Sequence, residues 1–376
     1  MRFVLEHEDA GTGARAGRLE TDHGVIETPV FMPVGTVGSV KGVSPRELEQ
    51  DIQAQIILGN TYHLYLRPGT DILQQAGGLH RFQNWDRPIL TDSGGYQVFS
   101  LSDIRKLTEE GVRFQSHLDG SYHMFSPEAV MDIQRAIGAD IIMVLDECPP
   151  GDATHTYADE SNDLTIRWAR RCKDHFEAQE PLYGHSQALF GIVQGVVYPD
   201  LRRKSAEQLL EIGFPGYAIG GLSVGEPSEQ MYDMVEVVNE VLPTGKPRYL
   251  MGVGTPENLI ENVARGVDMF DCVMPTRNGR NGSVFTTRGI MNMRNAKWKD
   301  CFEPVDAGLD HYASQAFTKA YTRHLIQSGE ILGIRITTMQ NLALYHWVMR
   351  EARQAILEDR YAAWMNDVLP DLTARL

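Results

Sequence analysis

The chain has 376 residues, 42% apolar and 23% charged, with a net charge of −15; that is enough for one large domain or two smaller ones, in the composition range of ordinary globular proteins. The acidic balance argues against a nonspecific nucleic-acid coat protein, but not against an enzyme that gathers its basic residues on one face. No apolar stretch is long enough to span a bilayer, the start at Met1–Glu6 does not resemble a signal peptide, and Cys148, Cys172, Cys272 and Cys301 are scattered, so a cytoplasmic protein without disulfides is expected.

Residues before Pro29 read as short antiparallel strands with Gly11 and Gly13 in a turn. Eight apolar runs follow, each ending in small or polar residues: 30–35, 56–60, 89–95, 141–147, 189–195, 217–222, 249–254 and the run from Met269. Continuous apolar runs without alternation indicate parallel strands covered on both faces. Helices lie between them. Ser44-Pro45, Ser126-Pro127-Glu128 and Thr255-Pro256-Glu257 each place an N-cap hydroxyl before a proline at the first helical position. Val130, Ile133 and Ile137 share one face of the second; the third carries Leu259 and Val263 and stops near Gly266. Eight strands alternating with helices predict an α/β fold, a (β/α)8 barrel of the TIM type. Spacing alone leaves an open doubly wound sheet as the competing arrangement. After Gly282 come short strands at 283–287 and 290–294, an irregular patch, and helices from near Ser314. The expected organisation is one catalytic domain over 1–376. Within it are an N-terminal antiparallel β layer (1–28), a strand-and-helix subdomain (283–340) and C-terminal helices.

The chemistry is expected at the strand ends, because catalytic groups in a barrel converge at the carboxyl-terminal mouth. Those ends supply Asn60, Asp92, Asp146, Gln194, Gly220-Gly221 and Asp271. Asp271 interrupts an apolar run just before a proline-containing, glycine-rich stretch, expected as a loop, that carries Arg277 and Arg280. Any one of the aspartates could be a structural cap; three at one mouth favour a site. No HxH or HExxH pattern occurs there, which disfavours metal catalysis. Paired carboxylates suit an acetal or N-glycosidic carbon, one attacking and the other carrying protons. Gln194 with Asp146 offers a donor and acceptors for a purine edge, and the glycine pair would let backbone approach a flat ligand. Arg277 to Lys299 contains six basic residues and no acid, either a solvated face or a phosphate-tracking one. Trp298 and Phe285 could stack bases or simply pack, and His63 and His117 read as rim or structural residues.

Taken together, Ile57-Leu58-Gly59-Asn60-Thr61, Leu90-Thr91-Asp92-Ser93-Gly94-Gly95, Asp146-Glu147-Cys148, Gly220-Gly221-Leu222-Ser223-Val224-Gly225-Glu226 and Met269-Phe270-Asp271-Cys272 make the chain similar to bacterial tRNA-guanine transglycosylases. The resemblance runs from Phe31 to the C-terminal helices. It implies the closed barrel and exchange of guanine at a tRNA anticodon wobble position for a 7-deazaguanine, with no cofactor. By that resemblance Asp271 is the nucleophile on ribose C1′ and Asp92 the general acid/base. Asp146, Gln194 and Gly221 read the base, Tyr96 and Met251 sandwich it, and Leu222, Cys148, Glu226 and Asn60 complete the pocket. Thr276, Arg277, Arg280 and Lys41 would contact RNA. Val224 and Cys148 follow the bacterial pattern, which implies 7-aminomethyl-7-deazaguanine rather than the bulkier queuine. A homodimer is expected. A ribohydrolase without exchange and a noncatalytic tRNA-binding paralogue are the alternatives.

The chain departs from that family at a structural zinc site, a Cys-x-Cys-x-x-Cys cluster with a later histidine. The corresponding residues are Leu309, His311, Ser314 and Gln340, of which only His311 is a zinc donor. A metal-free subdomain is therefore expected, with Leu309, Phe302, Tyr312, Phe317 and Tyr321 as a compensating apolar cluster.

Overall fold

A computed structural model describes residues 1–101 and 105–376. Strands β1 (Arg2–Glu8), β2 (Arg15–Thr21) and β3 (Gly24–Thr28) form an antiparallel sheet in that order. Three barrel strands follow: β4 (Val30–Pro33), β5 (Ile57–Gly59) and β6 (Ile89–Thr91). A second antiparallel sheet then interrupts the pattern, with β7 (Arg105–Thr108), β8 (Gly111–Gln115) and β9 (Tyr122–Phe125). The barrel resumes with β10 (Ile141–Met143), β11 (Ala188–Val193), β12 (Tyr217–Ile219), β13 (Arg248–Leu250) and β14 (Met269–Cys272). A hairpin of β15 (Ser283–Thr286) and β16 (Gly289–Asn292) comes last.

The eight barrel strands are parallel neighbours in one sheet, and a parallel bridge from Val34 to Leu58 joins its two edges. All eight apolar runs of the sequence are these strands, and the closed barrel replaces the open-sheet alternative. The helix starts follow from their caps. Ser44 and Glu47 make a reciprocal capping box, and the Ser126 and Thr255 hydroxyls accept from Ala129 and Asn258 N–H. The third of these helices ends at Ala264, and Gly266 turns the chain at φ +88°.

Buried polar groups fasten the amino end of the barrel. Asp268, just before β14, accepts from Arg15 Nε (2.9 Å) in β2 and from Arg248 N (2.7 Å), tying the N-terminal sheet to the strand that carries Asp271. Asp140, just before β10, accepts from Ile89 N (2.9 Å) and lies 2.7 Å from His23 Nδ1 and 3.1 Å from His80 Nε2. With His185, these histidines bring ring nitrogens within 4.8 Å of one another. The His23 and His80 rings stack face to face at 3.7 Å, so their in-plane lone pairs do not converge on one ion. They clamp the β2–β3 turn to the barrel, at the end opposite the mouth.

Three differences from the sequence reading have physical causes. The arginine-bearing stretch after β14 is a helix, Met274–Arg280, not a loop. Pro275 suits a first helical turn, and Gly279 is needed because a Cβ there would sit 2.8 Å from Thr338 Cα on the helix Ile331–Leu357. The sheet β7–β9 was not anticipated. Residue 340 falls inside that same long helix, so no chain break marks the end of the 283–340 segment.

Candidate active site

The barrel brings the expected strand-end residues to one mouth. Asp271 lies in β14, paired with β4 on one side and β13 on the other. Its Oδ1 accepts from Tyr249 Oη (2.6 Å) and Gly252 N (2.8 Å), whereas its Oδ2 has no hydrogen-bond partner among the described residues. Burial raises its pKa, and the two donors oppose that shift. One oxygen is held and the other is free to react.

Asp92 follows β6 and is only 7% exposed. Asn60 Nδ2 and Gln97 Nε2 donate to its Oδ2, and Thr61 N (2.9 Å) to its Oδ1. Burial pushes its pKa up to about 6, the three donors counter this, and the charge of Asp271 adds to it. A carboxylic acid tuned toward neutrality beside an anchored carboxylate is a pairing suited to proton transfer at a glycosidic bond. Asn60 thus orients Asp92 rather than facing the mouth with a free amide.

Asp146, following β10, accepts from Ser93 Oγ and Gln194 Nε2, each at 2.7 Å. Burial raises its pKa as well. Because Asp146 takes the amide nitrogen of Gln194, Gln194 Oε1 is fixed as a buried acceptor, and among the described residues it has no partner. Leaving such an atom unpaired costs roughly 1–3 kcal/mol, so a ligand N–H is the natural partner. A Cβ on Gly221 would lie 2.3 Å from that oxygen. The glycine therefore makes room for Gln194 in addition to offering close backbone approach.

The loop after β12 is held from below by Arg202, fully buried, which donates to the carbonyls of Gly220 (2.6 Å), Gly221 (3.1 Å), Val196 (2.8 Å) and Val193 (3.2 Å). Burial lowers its pKa to about 10, which leaves it cationic at neutral pH. Sequence reasoning missed Arg202, Tyr249, Ser93 and Gln97. One signal existed: Arg202 lies in register with Ser205, Ala206 and Leu209 on the buried face of its helix, where an unpaired cation is out of place.

Leu222 is buried, and the Glu226 carboxylate accepts from the N–H groups of Ser223 and Val224. Beside them opens a cavity of about 590 Å³ lined by Tyr96, Phe99, Arg105, Cys148, Val224 and Glu226 among others. Tyr96 is 53% exposed, free to lie over a ligand. Met251 is half-buried at the end of β13 and does not line this cavity. Burial drives the Cys148 thiol up to about 12, so it is a neutral wall and not a nucleophile.

The basic run divides. Arg277 is exposed, Arg280 half-buried and Lys41 exposed. Burial and mutual repulsion lower the pKa of Arg280 (beside Arg277) and of Lys41 (beside Arg280). These three form a cationic rim; Thr276 is buried and bonds its own helix through Val273 O (3.2 Å). Arg288 is instead paired with Asp371, and Lys297 lies over the Trp298 ring. Phe285 is buried against Tyr345 and is packing, not a stacking platform.

The zinc slot does not fit a zinc ion. Leu309 is apolar and 1% exposed, and Gln340 Nε2 donates to Phe285 O (3.0 Å) and Asp306 Oδ2 (3.3 Å). Asp306, 4% exposed, also accepts from Thr287 N, Thr287 Oγ1 (both 2.7 Å) and Gly308 N (3.1 Å). This hydrogen-bond hub links the β15–β16 turn, the 304–311 loop and the long helix. The expected compensating aromatic cluster is not a core: Phe302 is 76%, Tyr312 62% and Tyr321 44% exposed. Leu309 is interior and Phe317 is half-buried against the core, with Tyr312 (5.4 Å) and Tyr321 (6.2 Å) packed on its ring from the solvent side.

Comparison with known proteins agrees with this geometry. The family profile described as TGT: Queuine tRNA-ribosyltransferase matches residues 9–373. The chain is 58% identical over 360 residues to the queuine tRNA-ribosyltransferase of Acetivibrio thermocellus, covering 96% of this chain and 95% of that one. It is 55% identical to that of Halothermothrix orenii (98% and 97% covered) and 53% identical to that of Desulforamulus reducens (98% of each). With its barrel, its mouth of carboxylates and these relatives along nearly its whole length, the chain belongs to the queuine tRNA-ribosyltransferase family.

Proposed function

We propose that this chain is a tRNA-guanine transglycosylase that replaces guanine at the anticodon wobble position with 7-aminomethyl-7-deazaguanine, working in the cytoplasm by double displacement. The observation that carries the reading is the unequal pair of carboxylates: Asp271 with one oxygen anchored and one free, Asp92 buried and tuned to about 6. In the first displacement a free Asp271 oxygen attacks ribose C1′, the C1′–N bond to guanine breaks, and Asp92 gives its proton to the departing base. In the second, the Asp92 carboxylate takes a proton from the incoming base. That base's nitrogen then attacks C1′ and releases Asp271. Two displacements at one carbon give net retention.

Asp146, Gln194 and the Gly221 backbone are assigned to the base edge, with Tyr96 and Met251 on its faces and Leu222, Cys148 and Glu226 around it. The target nucleotide must leave its loop stack to enter, which single-stranded RNA permits. Arg277, Arg280 and Lys41 are assigned to the anticodon loop, and Thr276 to the helix turn that presents them. Val224 supports the smaller base: a Cβ on Gly151 would already lie 3.1 Å from Val224 Cγ2, so the wall is tight there. The exposed rings of Tyr312 and Tyr321, packed on Phe317, support a homodimer. Residues 1–376 act as one catalytic unit, with 1–28 and 283–340 as appended segments that fold without zinc. Incubation with labelled guanine and a tRNA carrying guanine at the wobble position tests the activity. Incorporation of label supports exchange, guanine release without incorporation indicates a hydrolase, and neither indicates a noncatalytic binder.

A further inference from the structure

The sheet β7–β9 leaves the barrel between Asp92 and the helix Pro127–Ile137, on the mouth side. Its inner face is Val112, Phe114 and Phe125, all fully buried. Two contacts mount it on the helix Thr61–Leu66, whose first N–H holds Asp92: Tyr62 Oη lies 2.8 Å from His117 Nδ1 and Tyr65 Oη 2.9 Å from His123 Nδ1. The sheet is thus fixed relative to the reacting carboxylates.

Its outer face has a different character. Strand register puts Lys106, Arg113 and Met124 in one row, all exposed. The Arg113 guanidinium lies 4.5 Å from the centroid of the Tyr122 ring, which is 55% exposed. Among the described residues neither Lys106 nor Arg113 has an ion-pair partner, whereas nearby Arg167 and Arg171 are paired with Glu109 and Glu128. The acids that border the face sit in turns: Glu109 and Glu110 between β7 and β8, and Asp119, bonded to Ser121, between β8 and β9. Unpaired cations interleaved with an aromatic plane suit RNA, binding phosphates through charge and bases through stacking. The sheet also borders the site, because Arg105, next to Lys106 in β7, lines the cavity with Tyr96 and Cys148.

We propose that the outer face of β7–β9, through Lys106, Arg113 and Tyr122, is a second RNA-contact surface that extends the cationic rim and holds tRNA backbone outside the target nucleotide. This rests on the tRNA-exchange reading, so binding is measured separately from turnover. In the full-length protein, the double variant Lys106→Glu with Arg113→Glu changes exposed side chains only, and its melting temperature should stay at the wild-type value. Its Kd and KM for tRNA should rise about tenfold or more. The slope of log affinity against log salt should flatten by about 1.4–1.8, the loss of two phosphate contacts. Turnover at saturating tRNA should be unchanged, and the exchange of Lys106→Arg with Arg113→Lys should keep the wild-type slope. A charge-reversed protein with unaltered tRNA affinity and salt slope would overturn the surface. Failure of wild-type protein to incorporate guanine would count against the exchange reading, while the binding comparison would still decide the surface.

Discussion

Replacing Asn60 by alanine should move one limb of the pH profile and leave the other in place. Adduct formation needs Asp271 ionised and Asp92 protonated, so its rate should follow a bell. The acidic limb belongs to Asp271, and the alkaline limb falls through the apparent pKa of Asp92, about 6. Asn60 Nδ2 donates to Asp92 Oδ2 and so favours the charged form. A hydrogen bond to a charged group contributes roughly 1.5–3 kcal/mol, or about one to two pKa units. Loss of the donor raises the Asp92 pKa, so the alkaline limb of Asn60→Ala should shift upward by about one to two units. The acidic limb should not move, because Asn60 does not touch Asp271. The assay is single-turnover release of guanine from tRNA at a series of pH values. An alkaline limb with the same apparent pKa in both proteins would refute Asp92 as the proton carrier.

The pocket wall and the zinc slot give three further outcomes. Val224→Gly should widen the wall against Gly151 and let queuine compete with 7-aminomethyl-7-deazaguanine, and initial rates with both bases together would measure this; wild-type protein that already uses queuine equally well would contradict it. A strong chelator should change neither melting temperature nor exchange activity, while Asp306→Ala, which strands the Thr287 and Gly308 N–H donors, should cost about 2–5 kcal/mol. Stoichiometric zinc by elemental analysis, with unfolding on its removal, would oppose the metal-free subdomain.

The barrel was legible because its strands are covered on both faces and so appear as unbroken apolar runs such as Ile141-Ile142-Met143. The Ser-Pro and Thr-Pro caps marked the helix starts, and the carboxylates stood where those runs end. What could not be read depends on contacts between distant segments. The helix Met274–Arg280 contains a proline and a glycine, both signs of a loop; the reason Gly279 is tolerated, the pressing of Thr338 against it, lies some sixty residues away. The β7–β9 strands are four or five residues long and carry exposed charges, so their alternation is too brief to stand out. Asn60 was visible as a strand-end polar residue, but only its hydrogen bond reveals that it serves Asp92. The aromatic residues near Leu309 read as core by composition, but only Phe317 packs inward, while Tyr312 and Tyr321 cover its ring from the exposed faces of two short helices.

The central claim is that Asp271 forms a covalent bond to the tRNA ribose. Mixing wild-type protein with tRNA carrying guanine at the wobble position, quenching in denaturant and running a denaturing gel should show an RNA-linked protein band that disappears on addition of excess free base. Asp271→Asn should bind tRNA with near wild-type affinity, give no such band, and lose several orders of magnitude in exchange rate. A denaturation-resistant adduct in Asp271→Asn, or exchange at a near-normal rate, would contradict the account.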